Sequence, residues 1–504
     1  MAARAEARAR RDGLLPLADA AAVALLVALA LVADGHIFRQ GLDLLDEGFE
    51  YRLASRILHG QVPYRDFFTV VTPLAFYWQA LLIAVFGPGL LVGRVANLGC
   101  ALATPVLLYV VGRRLAGRPL ALAAAALSIP WGLPWWPQPN YSWYVVLLEL
   151  AAAAVALGAA EGRARWWPAG LLAAGALLTK QNVGLLTALA LSLYALWRGG
   201  PAALRGYTAG LGVPVLALLL YLGSAGALGP FWYQTVVFAL TRFPRAARIP
   251  YPSLRTDLGN LHLPGAAGME ALVGHLPHAV LLGGLLVLLA GALRRARWLP
   301  EGVLAWCLTL AGLSIAYPRS DFVHIDYALA PTFLGLAWLL FRLCGGRPWL
   351  LPLALLLMGS LCTASWQVRP RVAGTMPLGL PRAAGILVPP SVAVTVSQVV
   401  TAIDRAVPPD RPVLVLPWAN MLTYLAARQN PSPYDLDITL NMPPGGNTHI
   451  ARIMARTHCP VFLEPGVGIS APFRVYAEPV MLELYDHYRR VGQVGPFEIW
   501  QWSG

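Results

Sequence analysis

Lysine is almost missing from this 504-residue chain: Lys180 stands alone among 38 basic residues, so nearly every positive charge is an arginine. Charge of either sign is scarce. Charged residues make up 12% of the chain, roughly half the share of an ordinary soluble domain, against 57% hydrophobic residues. That imbalance excludes a water-soluble globular chain and implies a polytopic α-helical membrane protein. Cysteine is sparse as well. Cys100, Cys307, Cys344, Cys362 and Cys459 show no CxxC or metal-ligand spacing, which argues against a disulfide framework and a structural zinc site. No glycine-rich phosphate fingerprint opens a helical pattern, so nucleotide binding has no support.

What the chain does have is arginine placed between apolar runs. The net charge of +13 suggests nucleic acid at first sight, but its distribution reports topology. Arg4, Arg8, Arg10 and Arg11 precede an apolar run with no small-residue cleavage site after it, the pattern of a signal anchor. Apolar stretches near 14–34, 90–111, 120–130, 145–160, 169–178, 183–197, 207–226, 278–293, 303–316, 327–341 and 350–364 read as crossings. Keeping the arginine-rich connections on the cytoplasmic side gives about 11 transmembrane helices, N-terminus inside and C-terminus outside. The inner segments then hold 16 arginines and four acids (Glu6, Asp12, Glu161, Glu301), a surplus that covers most of the net charge. No nucleic-acid partner is expected. The run 72–86, bracketed by Pro73 and Gly87-Pro88-Gly89, reads as a juxtamembrane or re-entrant helix, because a full crossing there would move every later basic loop outside.

Near residue 370 the texture changes. Residues 392–406, 418–428 and 481–488 have helical patterns, 413–416 and 460–463 read as short buried strands, and 489–494 with 497–502 read as a closing hairpin through Gly495-Pro496. The expected organisation is a membrane domain over 1–369, with a first outer loop at about 35–90, and a small extracytoplasmic α/β domain over 370–504.

Polar residues gather in four stretches on the outer side. The first loop carries Asp46, Glu47, Glu50, Arg52, Arg56, His59, Arg65 and Asp66. Carboxylates beside a membrane exit tend to be paired or to work. A helix over 47–59 puts Asp46 and Glu50 on one face; Asp46 also suits a helix N-cap, and the two roles are compatible. The second stretch is Thr179-Lys180-Gln181-Asn182, where the lysine either snorkels to the interface or offers a point charge to a phosphate. The third is the turn 317–326. There Arg319 and His324 can bind phosphate, or Arg319 and Asp321 can form a solvated ion pair of little value. The fourth, 229–276, sets Arg242, Arg245 and Arg248 among aromatics and suits an anionic lipid head group or an interfacial anchor equally.

The run Leu45-Asp46-Glu47-Gly48, Tyr51, Ala54, Gly60, Pro63-Tyr64-Arg65-Asp66-Phe67, Thr72-Pro73-Leu74, Tyr77, Phe86-Gly87 and Arg94 resembles the first outer loop of bacterial family 39-like glycosyltransferases. These are relatives of the protein O-mannosyltransferases and of the lipid A aminoarabinose transferase. Leu177-Leu178-Thr179-Lys180-Gln181 with Gly184, and Arg319 with His324, are similar to further features of that family. The resemblance covers the membrane part and extends only loosely to the C-terminal domain.

The resemblance implies a GT-C-like fold in the inner (plasma) membrane, and inverting transfer of a monosaccharide from a polyprenyl-phosphate carrier to a hydroxyl acceptor at the outer face. It assigns Asp46 as the base that takes the acceptor proton, with Glu47 beside it tuning Asp46 or positioning the acceptor. Lys180 and Arg319, with His324 as partner, would stabilise the leaving phosphate. Glu50, Tyr64, Arg65 and Asp66 are expected against substrate. No cofactor is implied, members of the family do not uniformly need a divalent metal, and no metal spacing is present. Membrane lipids and the lipid-linked sugar are the expected partners, while sugar and acceptor (lipid, glycan or protein) have no readable code. The competing readings are a lipid-linked oligosaccharide ligase or polymerase, a transporter or flippase, and a membrane scaffold. A transporter predicts mid-membrane charges and internal repeats, and a scaffold leaves the first-loop acids and Lys180 unexplained.

Overall fold

The computed structural model describes residues 17–131, 137–260, 262, 268, 271, 273–345, 374–438, 441–466 and 473–504. Its membrane part is built from α1 (Leu17–Asp34), α2 (Asp46–Leu58), α3 (Leu74–Phe86), α4 (Leu90–Ala116), α5 (Arg118–Leu127), α6 (Tyr141–Ala160), α7 (Trp167–Thr179), α8 (Gln181–Ser224), α9 (Leu276–Leu293), α10 (Leu299–Leu313), α11 (Phe322–Tyr327) and α12 (Leu329–Cys344). Six of the described helical stretches are long and apolar enough to cross a membrane, and α3, α5, α7 and α12 are shorter apolar helices. Every expected crossing up to residue 341 falls on one of these helices. The crossing expected at 350–364, the domain boundary expected near 370 and part of the aromatic loop after Trp131 lie outside the described residues.

Leucines at 185, 189, 193 and 196 on α8, and at 282, 285, 286, 289 and 293 on α9, are exposed. Such apolar stripes suit lipid rather than water. Alanine and glycine fill the helix contacts instead: a Cβ at Gly170 would lie 1.9 Å from the Tyr207 carbonyl oxygen, and one at Gly210 would lie 2.0 Å from that of Trp167. Close backbone approach through small residues is how helices pack where the solvent is itself apolar. α8 is two arms rather than one rod. Gly200 has a positive φ of 70°, and the Tyr207 hydroxyl donates to the Ala188 carbonyl across 3.1 Å, which requires the chain to double back. The two crossings expected at 183–197 and 207–226 are these arms.

The segment after α8, expected as a loop, instead winds through short helical turns from Leu228 to Ala246, including a π-type stretch at Tyr233–Phe238. Gln234 explains the order there: its amide donates to the Tyr64 carbonyl (2.9 Å) and its oxygen accepts from the Thr69 N–H (2.9 Å).

The C-terminal part carries α13 (Pro390–Ala406), β1 (Leu414–Leu416), α14 (Asn420–Leu425), α15 (Gly446–Thr457), β2 (Val461–Leu463), α16 (Glu478–His487), β3 (Tyr488–Val494) and β4 (Phe497–Trp502). The sheet order is β1-β2-β4-β3, with β1 and β2 parallel and the other pairs antiparallel. The expected strands and closing hairpin are present; α14 is shorter than the helix expected at 418–428, and α15 went unpredicted.

This domain shares its core with the first loop. Tyr51 and Ala54 of α2, Ala80 and Ile83 of α3 and Leu90 of α4 pack in one buried cluster with Val396, Met421, Tyr424 and Phe497. Gly48 makes the contact possible, since a Cβ there would stand 2.6 Å from the Met421 backbone nitrogen. The Arg56 guanidinium meets the Asp435 carboxylate at 2.5 Å, both buried. The first loop and the C-terminal domain therefore occupy the same side of the membrane. Removing one partner of a buried pair strands the other charge, so Asp435→Ala should destabilise the folded protein by about 3–5 kcal/mol. Thermal unfolding in detergent measures this, and Arg56→Met in the same chain should recover part of the loss.

Candidate active site

The N-terminus of α2 is set by Asp43, not by Asp46. The Asp43 Oδ1 accepts from the backbone N–H of Leu45 (2.8 Å) and of Asp46 (3.0 Å), and its Oδ2 accepts from the Gln138 amide (3.2 Å). Asp46 is the first residue of the helix and its carboxylate makes no cap, so the capping role considered for it belongs to Asp43. Its side chain is left exposed at the helix end.

The next carboxylate turns the other way. Glu47 forms a buried bidentate pair with Arg94 of α4, with both contacts at 2.7 Å. Arg94 also donates to the Gln40 and Gly41 carbonyls, each at 2.9 Å. Glu47 thereby anchors α2 to the membrane helices. Glu50, one turn beyond Asp46, is buried; one oxygen accepts from the Tyr141 N–H at 3.2 Å, and the other has no hydrogen-bond partner among the described residues.

Lys180 sits in the one-residue link between α7 and α8. Gly184 allows the link to be that tight, because a Cβ there would lie 2.1 Å from the Leu177 Cα. The flanking amides are structural. Gln181 donates to the Val70 carbonyl (2.7 Å) and accepts from the Thr72 N–H (3.3 Å), while Asn182 donates to the Ser314 carbonyl (2.9 Å). Lys180 Nζ donates to the Ser142 hydroxyl at 3.0 Å and lies 5.1 Å from the Tyr141 ring centre. In the turn before α12, Asp321 organises both candidate phosphate ligands. One oxygen accepts from Arg319 Nε (2.6 Å), and the other pairs with His324 Nδ1 (2.6 Å) and caps α11. The backbone of this turn is held by Ile249, whose carbonyl accepts from the Ser320 N–H at 3.0 Å.

These groups act on one another. The protein around Asp46 pushes its carboxyl up to about 7; the Asp43 charge adds to the rise, Arg319 opposes it, and Asp321 adds again. Burial raises Glu50 to about 8, opposed by the Tyr141 hydrogen bond and reinforced by Asp46. Desolvation brings Lys180 down to about 7. Burial pushes Asp321 upward too, but the His324 hydrogen bond and the charges of His324 and Arg319 win and hold it at about 2. Burial lowers His324 despite Asp321, helped by Lys180 and Arg319, so it is mainly neutral at pH 7. The cluster thus places a carboxyl that titrates near neutrality within electrostatic reach of the Arg319 guanidinium.

Asp46, Glu50, Lys180, Arg319 and His324 are brought together from three distant stretches. Tyr64, Arg65 and Asp66 are not. They form a turn in which Asp66 accepts from the Val62 N–H (2.7 Å) and pairs with Arg65 (2.8 Å), Tyr64 packs on Phe231, and Arg65 donates to the Ala225 carbonyl (3.1 Å). Their contacts run to the end of α8. Sequence reasoning missed Asp43, whose signal was an aspartate three residues before a helix start. A cleft of about 620 Å³ lies at the other end of α2, beside Arg56 and His59, and not at Asp46.

With this geometry in place, the fold can be assigned: it is the GT-C fold of multi-pass membrane proteins. ArnT from Cupriavidus metallidurans bound to undecaprenyl phosphate superimposes with a TM-score of 0.52 at 13% identity, over 96% of this chain and 97% of that one. The Archaeoglobus fulgidus oligosaccharyltransferase complexed with zinc and sulfate gives 0.51 at 13% identity, over 94% and 72%. The mycobacterial arabinofuranosyltransferase AftD gives 0.53 at 15% identity, over 97% of this chain and 40% of its own length. No protein-family model and no curated protein sequence matches the chain.

Glu50 gives a test of the electrostatics. Its proton is held to about pH 8 in the fold but released in the usual carboxylate range when unfolded. Its penalty is therefore absent below that range and grows as pH rises toward 8. Glu50→Gln keeps an acceptor for Tyr141, so it should stabilise the protein at pH 8.5 by on the order of 2–4 kcal/mol and by nothing at pH 4. Thermal unfolding across this range reads the difference; a gain independent of pH would assign it to packing instead.

Proposed function

We propose that the chain is an inverting glycosyltransferase that moves a monosaccharide from a polyprenyl-phosphate carrier to an acceptor hydroxyl at the outer membrane face. The observation that carries this reading is the convergence of Asp46 with Lys180, Arg319 and His324 around Tyr141. The fold shared with ArnT, solved with undecaprenyl phosphate, supports the donor class.

In the proposed step Asp46 accepts the acceptor hydroxyl proton while that oxygen forms a bond to the anomeric carbon. The bond from that carbon to the phosphate oxygen breaks on the opposite face, and the electron pair leaves with the lipid phosphate. Displacement from one face inverts the anomeric centre. The phosphate gains charge as it leaves, so it needs cations positioned in advance rather than a proton donor. Arg319, held through Nε by Asp321, keeps its other guanidinium nitrogens for this, and an approaching anion favours the ammonium form of Lys180. His324, held by Asp321, is a neutral hydrogen-bonding partner. Glu47 supports the site by fixing α2 on Arg94, and Glu50 keeps a neutral carboxyl behind Asp46.

In membranes supplied with a panel of labelled polyprenyl-phosphate sugars, Asp46→Asn should lower transfer by roughly 10²–10⁴-fold with expression unchanged. Near-normal turnover would remove Asp46 as the base. Transfer by the unaltered chain should rise with pH through about 7, as Asp46 ionises. Because Arg319 lowers the Asp46 pKa, Arg319→Ala should move that limb to higher pH as well as weaken donor use. Lys180→Ala should raise the donor KM, and an unchanged donor KM would leave Lys180 a structural lysine.

A further inference from the structure

The cleft at the far end of α2 has no part in the chemistry just described. It is about 620 Å³, within the ~300–1,000 Å³ typical of ligand sites, and it lies between the first loop and the C-terminal domain. The two arginines on its wall are already paired. Arg56 donates from Nε to Asp435, from Nη1 to Gln61 Oε1 (2.9 Å) and from Nη2 to the Ser432 carbonyl and Asp435. Arg65 donates from Nε and Nη2 to Asp66 and from Nη1 to the Ala225 carbonyl. Each guanidinium nitrogen thus already has a protein partner, and each arginine already has a carboxylate of its own.

What remains on the wall can donate or accept hydrogen bonds. Gln61 spends only its oxygen, and its amide nitrogen has no partner among the described residues. His59 is held through Nδ1 on the Ser55 carbonyl (2.7 Å) and His449 through Nδ1 on the Tyr434 hydroxyl (3.3 Å), which leaves both Nε2 atoms available. Burial and the neighbouring Arg452 and Arg456 charges lower the His449 pKa, so that ring is uncharged at neutral pH. Gln429 uses its backbone carbonyl to accept from the Val413 N–H (3.0 Å) and is part of the cleft lining. Pro431, Pro433 and Ile453 supply the apolar surface between these groups.

Amides and imidazoles beside apolar side chains match the alternating hydroxyls and C–H faces of a sugar chain. A peptide would need a free strand edge or an apolar anchor pocket. The outer edge of β1 is covered at both ends, by Gln429 at Val413 and by Asp437, whose N–H donates to the Pro417 carbonyl at 2.8 Å. Arg56 lies ten residues after Asp46, about 15 Å along α2 at 1.5 Å per residue. We infer that this cleft is a saccharide subsite that binds an uncharged oligosaccharide stretch of the acceptor, a helix length from the sugar that receives the new residue. Its meaning as an acceptor site rests on the proposed transferase; its ability to bind neutral glycan does not.

The test uses the purified full chain on a glycan array of neutral oligosaccharides of one to six units, uronic-acid oligosaccharides and phosphorylated oligosaccharides, with a displayed peptide library alongside. Neutral oligosaccharides should be retained increasingly with length, Gln429→Ala and His449→Ala should each weaken retention at least tenfold with unchanged thermal unfolding, and Asp46→Asn should bind like the unaltered chain. In the transfer assay His449→Ala should raise KM for long acceptors only, with kcat and donor KM unchanged. Preference for acidic or phosphorylated glycans, retention of peptides instead, silence of all neutral oligosaccharides, or retention indifferent to both variants would each overturn the inference. Transfer with a silent neutral array would sink the cleft alone; glycan retention without transfer from any donor would sink the transferase reading alone.

Discussion

The structure hangs on a polar helix that has been buried. α2 is enclosed without a break from Glu47 to Arg56 and carries Glu47, Glu50, Arg52 and Arg56 in that stretch. Ions taken out of water cost several kcal/mol each unless they are matched. Every charge on α2 therefore has to find a specific answer, and those answers define the architecture. Glu47 takes Arg94 and ties the helix to the membrane bundle. Arg52 and Arg56 take Asp435 and tie it to the outer domain. Glu50 has no cation beside it among the described residues and holds a proton instead. Asp46 alone lies at the exposed end, beyond the enclosed stretch, and it is the carboxylate for which the catalytic role is proposed. Buried pairs of this kind add little net stability, but they tolerate one geometry and so fix the helix that carries Asp46.

A second constraint sets the cations. Lys180, Gln181 and Asn182 are consecutive, and each reaches a different element: Ser142 at the start of α6, residues 70–72 of the first loop, and Ser314 at the end of α10. A one-residue link between two helices cannot move independently when both neighbours are hydrogen-bonded elsewhere. The two amides hold the lysine where it stands, and Ser142 and the Tyr141 face contact its ammonium without neutralising it. Asp321 does the equivalent for Arg319 and His324, through one carboxylate whose two oxygens serve different partners.

Much of this was legible in the sequence because it follows from local pattern. Arginines between apolar runs gave the order of the helices, a helix over 47–59 matches α2, and the runs at 413–416 and 460–463 gave two of the strands, while their parallel pairing came from the structure. What stayed hidden was long-range pairing. Asp435 is 379 residues from Arg56, and no periodicity records that the two meet. The same gap hid the surroundings of two motifs. Asp46 and Glu47 look like one acidic pair, yet successive helix positions point about 100° apart, so one carboxylate opens outward and the other turns into Arg94. Tyr64, Arg65 and Asp66 sit close to Asp46 in sequence, but they form a turn held by their own hydrogen bonds, and Arg65 and Asp66 line the cleft at the far end of α2 instead. α15 was missed because its buried face is little more than Ile450 and Met454, too thin a stripe to stand out.

The remaining cost is concentrated where the chemistry is proposed. Asp46 and Glu50 are both held above the ordinary carboxylate range, and Lys180 is held below the ordinary ammonium range. All three directions mean that the fold disfavours the charged form, so at neutral pH these groups subtract from stability rather than add to it. A chain selected for stability alone would let Lys180 neutralise Asp46 or Glu50 directly. Instead the acids stand on α2 and the cations on the α7–α8 link and the 317–326 turn, with Tyr141 between them. That separation is what a displacement needs, because the proton is taken on one side of the reacting carbon and the phosphate leaves on the other. Direct pairing would quench both roles at once.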